Sequence, residues 1–361
     1  MSDHCLQSFR IAFSRIAQID LMMISWIADI EVVSVFAHVL MHPLNAFRFE
    51  IVRTDVHALH AKTFLIEKNS TAEKSNVIKL DGSSNLTHDI LVKLSFRSNE
   101  TRRRLLGSFL WYLQYNFDNP DLQNKNLRKA LAYAVDRDDL TQNVLKDGSI
   151  AAEGFVTRQL SNGPDGKDYR ETADGYFLER GEDSDKIAQE AFEQAKKELG
   201  KDEITLRFLF EPSNPSKSAA EFMQSEFAKL DGLNIEMVSQ EKNVRLKSQQ
   251  NGDFDLVLTR WGPDYADPTT YLNVLLPGGS FNFGKYDSQA YKDALDEAAN
   301  ASSDEARWQA LQKAEKIAMD DIAVAPIFQT GASDLLNPKV KHLVDNPVGV
   351  PFVYKYVTIE Q

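Results

Sequence analysis

The side chains best suited to chemistry lie between Arg260 and Tyr271, in the segment RWGPDYADPTTY. This segment combines two large aromatic residues, Trp261 and Tyr265, with the carboxylate of Asp264. Aromatic walls accept side chains of varied shape, and a carboxylate can hold an ammonium group through a charge-assisted hydrogen bond. The plainer explanation is that the acidic residues make turns beside prolines. The residue types alone leave both explanations open.

The familiar catalytic motifs are missing from the sequence after residue 110. There is no nucleophile elbow, Walker A loop or dinucleotide-binding glycine motif, and His342 is the only histidine in that region. A Ser-His-Asp or Cys-His arrangement therefore cannot be assembled there. No spacing of histidine and carboxylate indicates a metal site, and we expect no cofactor. Because acidic pairs are plentiful, a hydrolase that uses two carboxylates stays open as an alternative of another class.

Composition and charge exclude other classes of protein. The formal net charge is -12, whereas nucleic-acid binding requires clustered basic residues. No apolar run approaches the ~20 residues of a membrane-spanning helix. The single cysteine, Cys5, excludes a disulfide framework. The start of the sequence shows neither the basic region of a secretory signal nor the small apolar residues that precede a lipid-modified cysteine.

The composition changes abruptly near residue 110. The first 110 residues contain six of the seven histidines, no tyrosine, one proline and two glycines. This is unusual because domains place glycine and proline in their turns. Two interpretations stay open: a separate helical domain with its own composition, or a segment that is not authentic coding sequence joined to a real domain. We assign no function to residues 1–110.

Downstream of this change, predicted strands and helices alternate. Alternating or continuous apolar residues predict strands at Phe109–Tyr115, Ile204–Phe210, Asn234–Val238, Phe254–Thr259 and Ile322–Phe328. Helical spacing predicts helices between them, including one that begins at Asp136 and closes at Gly148. The βαβαβ order predicts a mostly parallel sheet covered by helices. It also places segment 260–271 after the carboxyl end of a strand, where ligands bind in open α/β sheets.

From about Trp111 to the C-terminus, the sequence resembles the extracellular solute-binding proteins of family 5, the oligopeptide-binding receptors of ABC importers. The resemblance lies in the segments YLQYNF, NKNLRKALAYAVDRDDL, FDLVLTRWGPDYADPTTYLN, GGSFNFGKYDS and IAVAPIF, in that order. It implies an α/β fold of the type II periplasmic-binding-protein kind, with one complete C-terminal lobe and pieces of the second lobe. Residues 1–110 are expected to match no part of the family.

The resemblance also implies a division of the chain into parts. Residues 111–126 correspond to a piece of the first lobe and the hinge, and residues 127–321 to the C-terminal ligand-binding lobe. Residues 322–361 correspond to strands that return to the first lobe. A clamp of two lobes with one lobe incomplete is expected to bind weakly, and a remnant without function stays open.

In the family, two lobes close over an extended peptide and bind its backbone as an added strand. The resemblance implies that Asp264 holds the amino terminus of the peptide. The other residues expected to contact the ligand are Trp261, Gly262, Tyr265, Asn282 and Thr330. The implied partners are a short peptide and the permease subunits of an ABC importer, with the receptor acting as a monomer outside the cytoplasm.

Some family members use arginines just before this loop to hold the carboxylate of the peptide. The corresponding positions here are Gln249 and Leu258, so carboxylate anchoring and peptide length stay open. Other cargo within the family, namely a dipeptide, a signalling peptide or a nickel chelate, is the alternative to an oligopeptide.

Overall fold

The computed structural model describes residues 47–51, 64–68, 77–80, 101–173, 183–346, 348–350 and 352–360. The chain divides into two compact units, Met1–Lys74 and Ser75–Gln361. In the first unit, the described residues form one antiparallel pair, β1 (Phe47–Ile51) with β2 (Phe64–Lys68). The other predictions for the start of the chain, including those on Cys5, lie outside the described residues. Within the described part of the chain, no helix has the length and apolar character needed to cross a membrane.

The second unit contains a seven-stranded sheet with helices packed against it. Its strands are β3 (Val77–Leu80), β4 (Thr101–Tyr115), β5 (Ile150–Ala151), β6 (Ile204–Phe210), β7 (Leu233–Ser239), β8 (Leu256–Trp261) and β9 (Val324–Leu336). Its longer helices are α1 (Lys125–Ala134), α2 (Ser184–Leu199), α3 (Ser216–Phe227), α4 (Lys242–Asn251), α5 (Gln289–Ala299) and α6 (Asp304–Asp320). Four short strands, β10 (Val340–Lys341), β11 (Val344–Asp345), β12 (Phe352–Val353) and β13 (Thr358–Ile359), form two small antiparallel pairs.

The strand order in the sheet is β3-β9-β4-β8-β6-β7, with β5 also paired to β9. Strand β6 runs parallel to both β7 and β8, which confirms the predicted βαβαβ unit. The prediction of a mostly parallel sheet is wrong, because β4 runs antiparallel to β8 and to β9, and β9 runs antiparallel to β3 and β5. The parallel part of the sheet is therefore confined to three neighbouring strands.

Local signals account for the ends of several helices. The side chain of Asn124 accepts a hydrogen bond from the Leu127 N–H at the start of α1, and Ser303 does the same for Ala306 at the start of α6. These caps satisfy N–H groups that have no partner inside the helix. Helix α2 ends at Gly200, whose φ of 65° lies in the left-handed region that glycine enters freely.

One helix differs from its predicted form. Between Asp136 and Gly148 the chain forms a short α-helical turn, Arg137–Asp139, which continues as a π-helix, Leu140–Leu145. The helix ends at Lys146, which has a φ of 52°, and not at the glycine two residues later. The glycine signal therefore marks the region of the helix end but not its position.

Strand β4 passes through the position at which the composition changes. It pairs with β9 from Thr101, opposite Leu336, to Gln114, opposite Val324. The predicted boundary at residue 110 thus falls within one strand, and the second compact unit begins at Ser75. The hypothesis that residues 1–110 are not authentic coding sequence, and the proposed lobe boundaries downstream, stay predictions.

Candidate functional site

The segment that follows β8 lies at the carboxyl end of the parallel strands. β8 ends at Trp261, so residues 262–271 leave the sheet at the edge where ligands bind in open α/β folds. β8 pairs with β6 only at Leu256 and Val257, but it pairs with β4 as far as its last residue. Among the described residues, the end of β8 therefore has a strand neighbour on one side only.

Asp267 fixes the shape of this segment. Its Oδ1 accepts hydrogen bonds from the Thr269 N–H at 3.0 Å, from Thr269 Oγ1 at 2.6 Å and from Arg307 Nη2, on α6, at 2.9 Å. Partial burial alone would raise the pKa of Asp267, but the hydrogen bonds from Arg307 and Thr269 outweigh burial and lower it. The turn-making explanation therefore applies to Asp267.

Asp264 lies in a different environment. Its backbone N–H donates to Thr270 Oγ1 at 3.0 Å, which holds the residue in place through its main chain. Its side chain is exposed, and no hydrogen bond or ion pair reaches the carboxylate from the part of the chain that the structure describes. Tyr265, next to it, is 46% exposed, and its hydroxyl lies within hydrogen-bond distance of Thr269 Oγ1, at 3.2 Å. The loop thus presents a positioned carboxylate beside an aromatic ring.

Trp261 forms an aromatic contact with a second loop. Its ring packs edge-on against Phe281, with 4.9 Å between the ring centroids, and Phe281 is 48% exposed. Trp261 Nε1 is buried and has no hydrogen-bond partner among the described residues. The contact joins the end of β8 to the loop that carries Asn282.

Gly262 lies against the ring of Phe109, a residue of β4. A Cβ at Gly262 would be 2.3 Å from Phe109 Cε1, so the two groups are in close contact. Phe109 is 47% exposed and adds a further aromatic surface to the site. Sequence reasoning did not identify Phe109 or Phe281 as site residues, because both come near Trp261 and Gly262 only through tertiary contacts. Their residue type was the only signal that the sequence offered.

The side-chain amide of Asn282 is used in hydrogen bonds within its own loop. It is 6% exposed, and its Nδ2 donates to the carbonyl groups of Tyr286 at 2.7 Å and Leu276 at 3.2 Å. Its Oδ1 accepts from the Tyr286 N–H at 3.1 Å. These bonds use the amide to close the loop on itself. A ligand contact by Asn282 stays a prediction, and the geometry gives this side chain a role in loop structure.

Thr330 lies on β9 beside the same part of β4. Its Oγ1 donates to the carbonyl of Phe109 at 3.3 Å. The β4–β9 ladder is irregular here, because Leu106 faces Gly331 and Leu110 faces Gln329, which leaves three residues of β4 opposite one residue of β9. Thr330 is thus brought to the aromatic surface, although the structure gives its hydroxyl a backbone partner.

Side chains donate hydrogen bonds to the backbone carbonyl groups of this bulge. The carbonyl of Gly107 accepts from Gln329 Nε2 at 2.9 Å, and the carbonyl of Ser108 accepts from the hydroxyl of Tyr271. Burial raises the pKa of Tyr271 above its ordinary value, so the hydroxyl keeps its proton and remains a donor. Tyr271 lies at the end of the Asp264 segment, so the bulge and that segment are held together.

The two positions at which the family resemblance points to carboxylate-binding arginines are both buried. Leu258 is 0% exposed, and Gln249 is 2% exposed. The amide of Gln249 accepts from Arg245 Nη1 and donates to Gln114. Arg245 also pairs with Glu211, with 3.0 Å between Arg245 Nη2 and Glu211 Oε1. None of these groups presents a free cation at the surface.

Comparisons with known proteins give a consistent group of relatives. The chain is 29% identical over 243 residues to the dipeptide-binding protein DppE of Bacillus subtilis, a match of 66% of this chain and 44% of that protein. It is 31% identical over 266 residues to a dipeptide-binding protein of Lactococcus lactis, a match of 69% of this chain and 47% of that protein. The chain therefore spans about half the length of the curated relatives it matches.

Solved structures show the same fold. The substrate-binding domain of an oligopeptide ABC transporter from Bacillus anthracis aligns with a TM-score of 0.67 at 29% identity, over 79% of this chain and 55% of that chain. The oligopeptide-binding protein OppA of Listeria monocytogenes, bound to peptide, aligns with a TM-score of 0.63 at 30% identity, over 79% and 54% of the two chains. The α/β architecture described above is thus that of periplasmic peptide-binding proteins.

The model of one protein family matches residues 68–283, under the description bacterial extracellular solute-binding proteins, family 5 middle. This match begins well before Trp111, so the expectation that residues 1–110 resemble no part of the family is wrong for residues 68–110. The matched region includes the Asp264 segment and Asn282, and it covers more than half of the chain. The chain belongs to the bacterial extracellular solute-binding proteins of family 5.

Proposed function

We propose that this chain is the peptide-capturing part of a receptor for an ABC importer. The observation that carries the proposal is Asp264, an exposed carboxylate that is held by its backbone at the carboxyl end of the parallel strands. The exposed rings of Phe109, Tyr265 and Phe281 lie in the same region of the lobe. A carboxylate among aromatic surfaces suits a ligand with an ammonium terminus and varied side chains.

The backbone of β8 supplies the second element of the proposed site. Because β8 continues beyond its short ladder with β6, its last residues offer a strand edge to an extended ligand. A peptide that adds a strand there gains main-chain hydrogen bonds whatever its sequence. The ring of Trp261 then forms a wall of the peptide site, and the backbone at Gly262 comes close to the peptide. Asp264 binds the terminal ammonium group of the peptide. Thr330 is a further candidate contact.

The proposed partners follow from the family. Several relatives are named as dipeptide-binding or oligopeptide-binding proteins, and the proposal extends that ligand class to this chain. Permease subunits of an importer, a monomeric receptor and a location outside the cytoplasm belong to the same proposal. Since the chain spans about half of its relatives, the proposal assigns it one ligand-binding lobe and a share of the other.

Peptide binding by the full chain tests this function. Isothermal titration with alanine-rich peptides of two to six residues, each with a free and an acetylated amino terminus, gives affinity as a function of length and charge. We expect the free peptides to bind more tightly and to be recovered intact. A preference for two-residue ligands would identify the dipeptide alternative. Cleaved peptide in the recovered solution would contradict a receptor and support the carboxylate-based hydrolase.

A further inference from the structure

Arg260 is the cation nearest in sequence to the proposed peptide site, and its guanidinium is positioned by two aromatic rings. The guanidinium carbon lies 5.2 Å from the ring centroid of Trp111 and 5.4 Å from that of Phe109. Arg260 faces Trp111 directly in the β4–β8 ladder, so the two side chains lie on the same face of the sheet. Stacking of this kind orients a guanidinium while its N–H groups stay available.

No acidic side chain in the described part of the chain forms an ion pair with Arg260. The residue is exposed, whereas the neighbouring Arg245 is 2% exposed and is neutralised by Glu211. Burial lowers the pKa of Arg245, Glu211 opposes that change, and the positive charge of Arg260 lowers it further. The two arginines therefore lie in one region of positive potential. Among the described residues, Arg245 has a carboxylate partner and Arg260 has none.

Resting on the proposed function, we infer that Arg260 is a specificity-determining residue that binds a carboxylate of the peptide ligand. Arg260 is the penultimate residue of β8 and lies four positions before Asp264, so it faces a peptide that lies along this strand end. The residues at the expected arginine positions, Gln249 and Leu258, are buried and cannot reach such a ligand. A planar guanidinium can hold a carboxylate through two parallel hydrogen bonds.

The carboxylate has two sources, the C-terminus of the peptide and an aspartate or glutamate side chain. Two sets of alanine-rich, five-residue peptides distinguish them in titrations with the full chain. In the first set, a glutamate moves from the second to the fifth position, and each peptide has a glutamine twin. In the second set, the same neutral peptide carries either a free or an amidated C-terminus. In one of the two sets, the anionic peptide is expected to bind about 5- to 20-fold more tightly than the neutral peptide with which it is paired.

Variants at the same residue make the test specific. Arg260→Gln is expected to abolish the preference, and Arg260→Glu to reverse it, so that the neutral twin binds more tightly than the anionic peptide. Arg207→Gln is the matched control, because Arg207 lies beside Asp255, just before the start of β8, and its loss should leave the preference intact. Arg260→Lys keeps the charge and should keep a reduced preference. Circular dichroism melting of each variant reports whether it is folded.

Two results would overturn the inference. One is equal affinity for every charged peptide and its neutral twin, and the other is a preference that survives Arg260→Gln. Either result, together with tight binding of neutral peptides, contradicts the role of Arg260 alone and leaves the proposed function standing. Binding of no peptide at all contradicts the proposed function and, with it, this inference.

Discussion

Gly262, the residue after β8, and Phe109 of β4 lie in direct contact, and a Cβ on Gly262 would approach Phe109 Cε1 to 2.3 Å. Real Cβ atoms do not make contacts this short, so only glycine fits without movement of the ring. The ring of Phe109 also carries the guanidinium of Arg260, at 5.4 Å. Gly262 therefore sets the position of the Phe109 ring, which contacts both the loop after β8 and the guanidinium of Arg260.

Substitution of Gly262 by alanine should displace the Phe109 ring. We expect Gly262→Ala to lower the free energy of unfolding by about 1–3 kcal/mol, as overpacking does elsewhere. Adding Phe109→Ala removes the opposing ring, so the double variant should cost less than the two single variants together. Urea unfolding of the four proteins measures this coupling. Strict additivity would mean that the contact does not constrain the two residues.

The elements around this contact differ in how well the sequence predicts them. Apolar alternation predicts the strand within β4 and the strand before the Asp264 segment, because half-buried strands need that pattern. The second of these strands is placed two residues early, since Phe254 is buried in a small separate cluster and pairing with β4 carries the strand through Arg260 and Trp261. Tertiary pairing, which a single sequence does not show, sets the end of the strand.

Gln329 should be important for stability because its amide forms hydrogen bonds with backbone groups at the β4 bulge. It is 3% exposed, accepts from the Arg158 N–H at 3.0 Å, and donates to the carbonyls of Arg158 at 3.0 Å and Gly107 at 2.9 Å. Gln329→Met keeps the length of the side chain but leaves three partly buried backbone groups without these partners. We expect a loss of about 2–4 kcal/mol in the free energy of unfolding.

The matched control for this variant is Gln194→Met on the exposed face of α2, where the amide of Gln194 donates a hydrogen bond to Glu198. Such a surface change should cost about 0.5 kcal/mol or less. Urea unfolding, followed by far-ultraviolet circular dichroism, measures both. Equal and small losses in the two variants would show that water replaces the Gln329 hydrogen bonds and that the bulge does not depend on them.

Asp267 should make the stability of the protein depend on acid pH. Its pKa is lowered in the folded state, so it stabilises the fold above its unfolded pKa of about 3.9. That contribution is lost as the pH falls through the lower, folded pKa. Asp267→Asn should therefore cost about 1–2 kcal/mol at pH 7, and progressively less as the pH falls below about 3.9.

Thermal unfolding between pH 7 and pH 3 checks this dependence, and Asp293→Asn on the exposed part of α5 is the control. The difference between wild type and Asp267→Asn should shrink as the pH falls, whereas the control should differ little at any pH. A difference that stays constant across this range would mean that shape, and not the charge of Asp267, holds the segment to Arg307.

The candidate site is less predictable from sequence than the fold, and individual residues show why. The residue types identify Asp264 and its aromatic neighbours because they are adjacent in the chain. Asn282 looks like a ligand-binding amide, yet three backbone groups of its own loop use it. Phe109 is separated by more than 150 residues from Gly262, so only the β4–β8 ladder reveals their contact. Partners distant in sequence decide which polar groups remain free.

The pairing of Asp264 with the amino terminus of a peptide is the central claim, and a double-mutant cycle tests it most directly. Isothermal titration would compare wild type and Asp264→Asn, each with a free and an acetylated peptide. Either change alone should weaken binding by about 1.5–3 kcal/mol, or roughly 10- to 150-fold, because a charge-assisted hydrogen bond is lost. Acetylation should then have almost no further effect on Asp264→Asn. Losses that simply add would contradict the pairing and leave Asp264 as a residue of the loop alone.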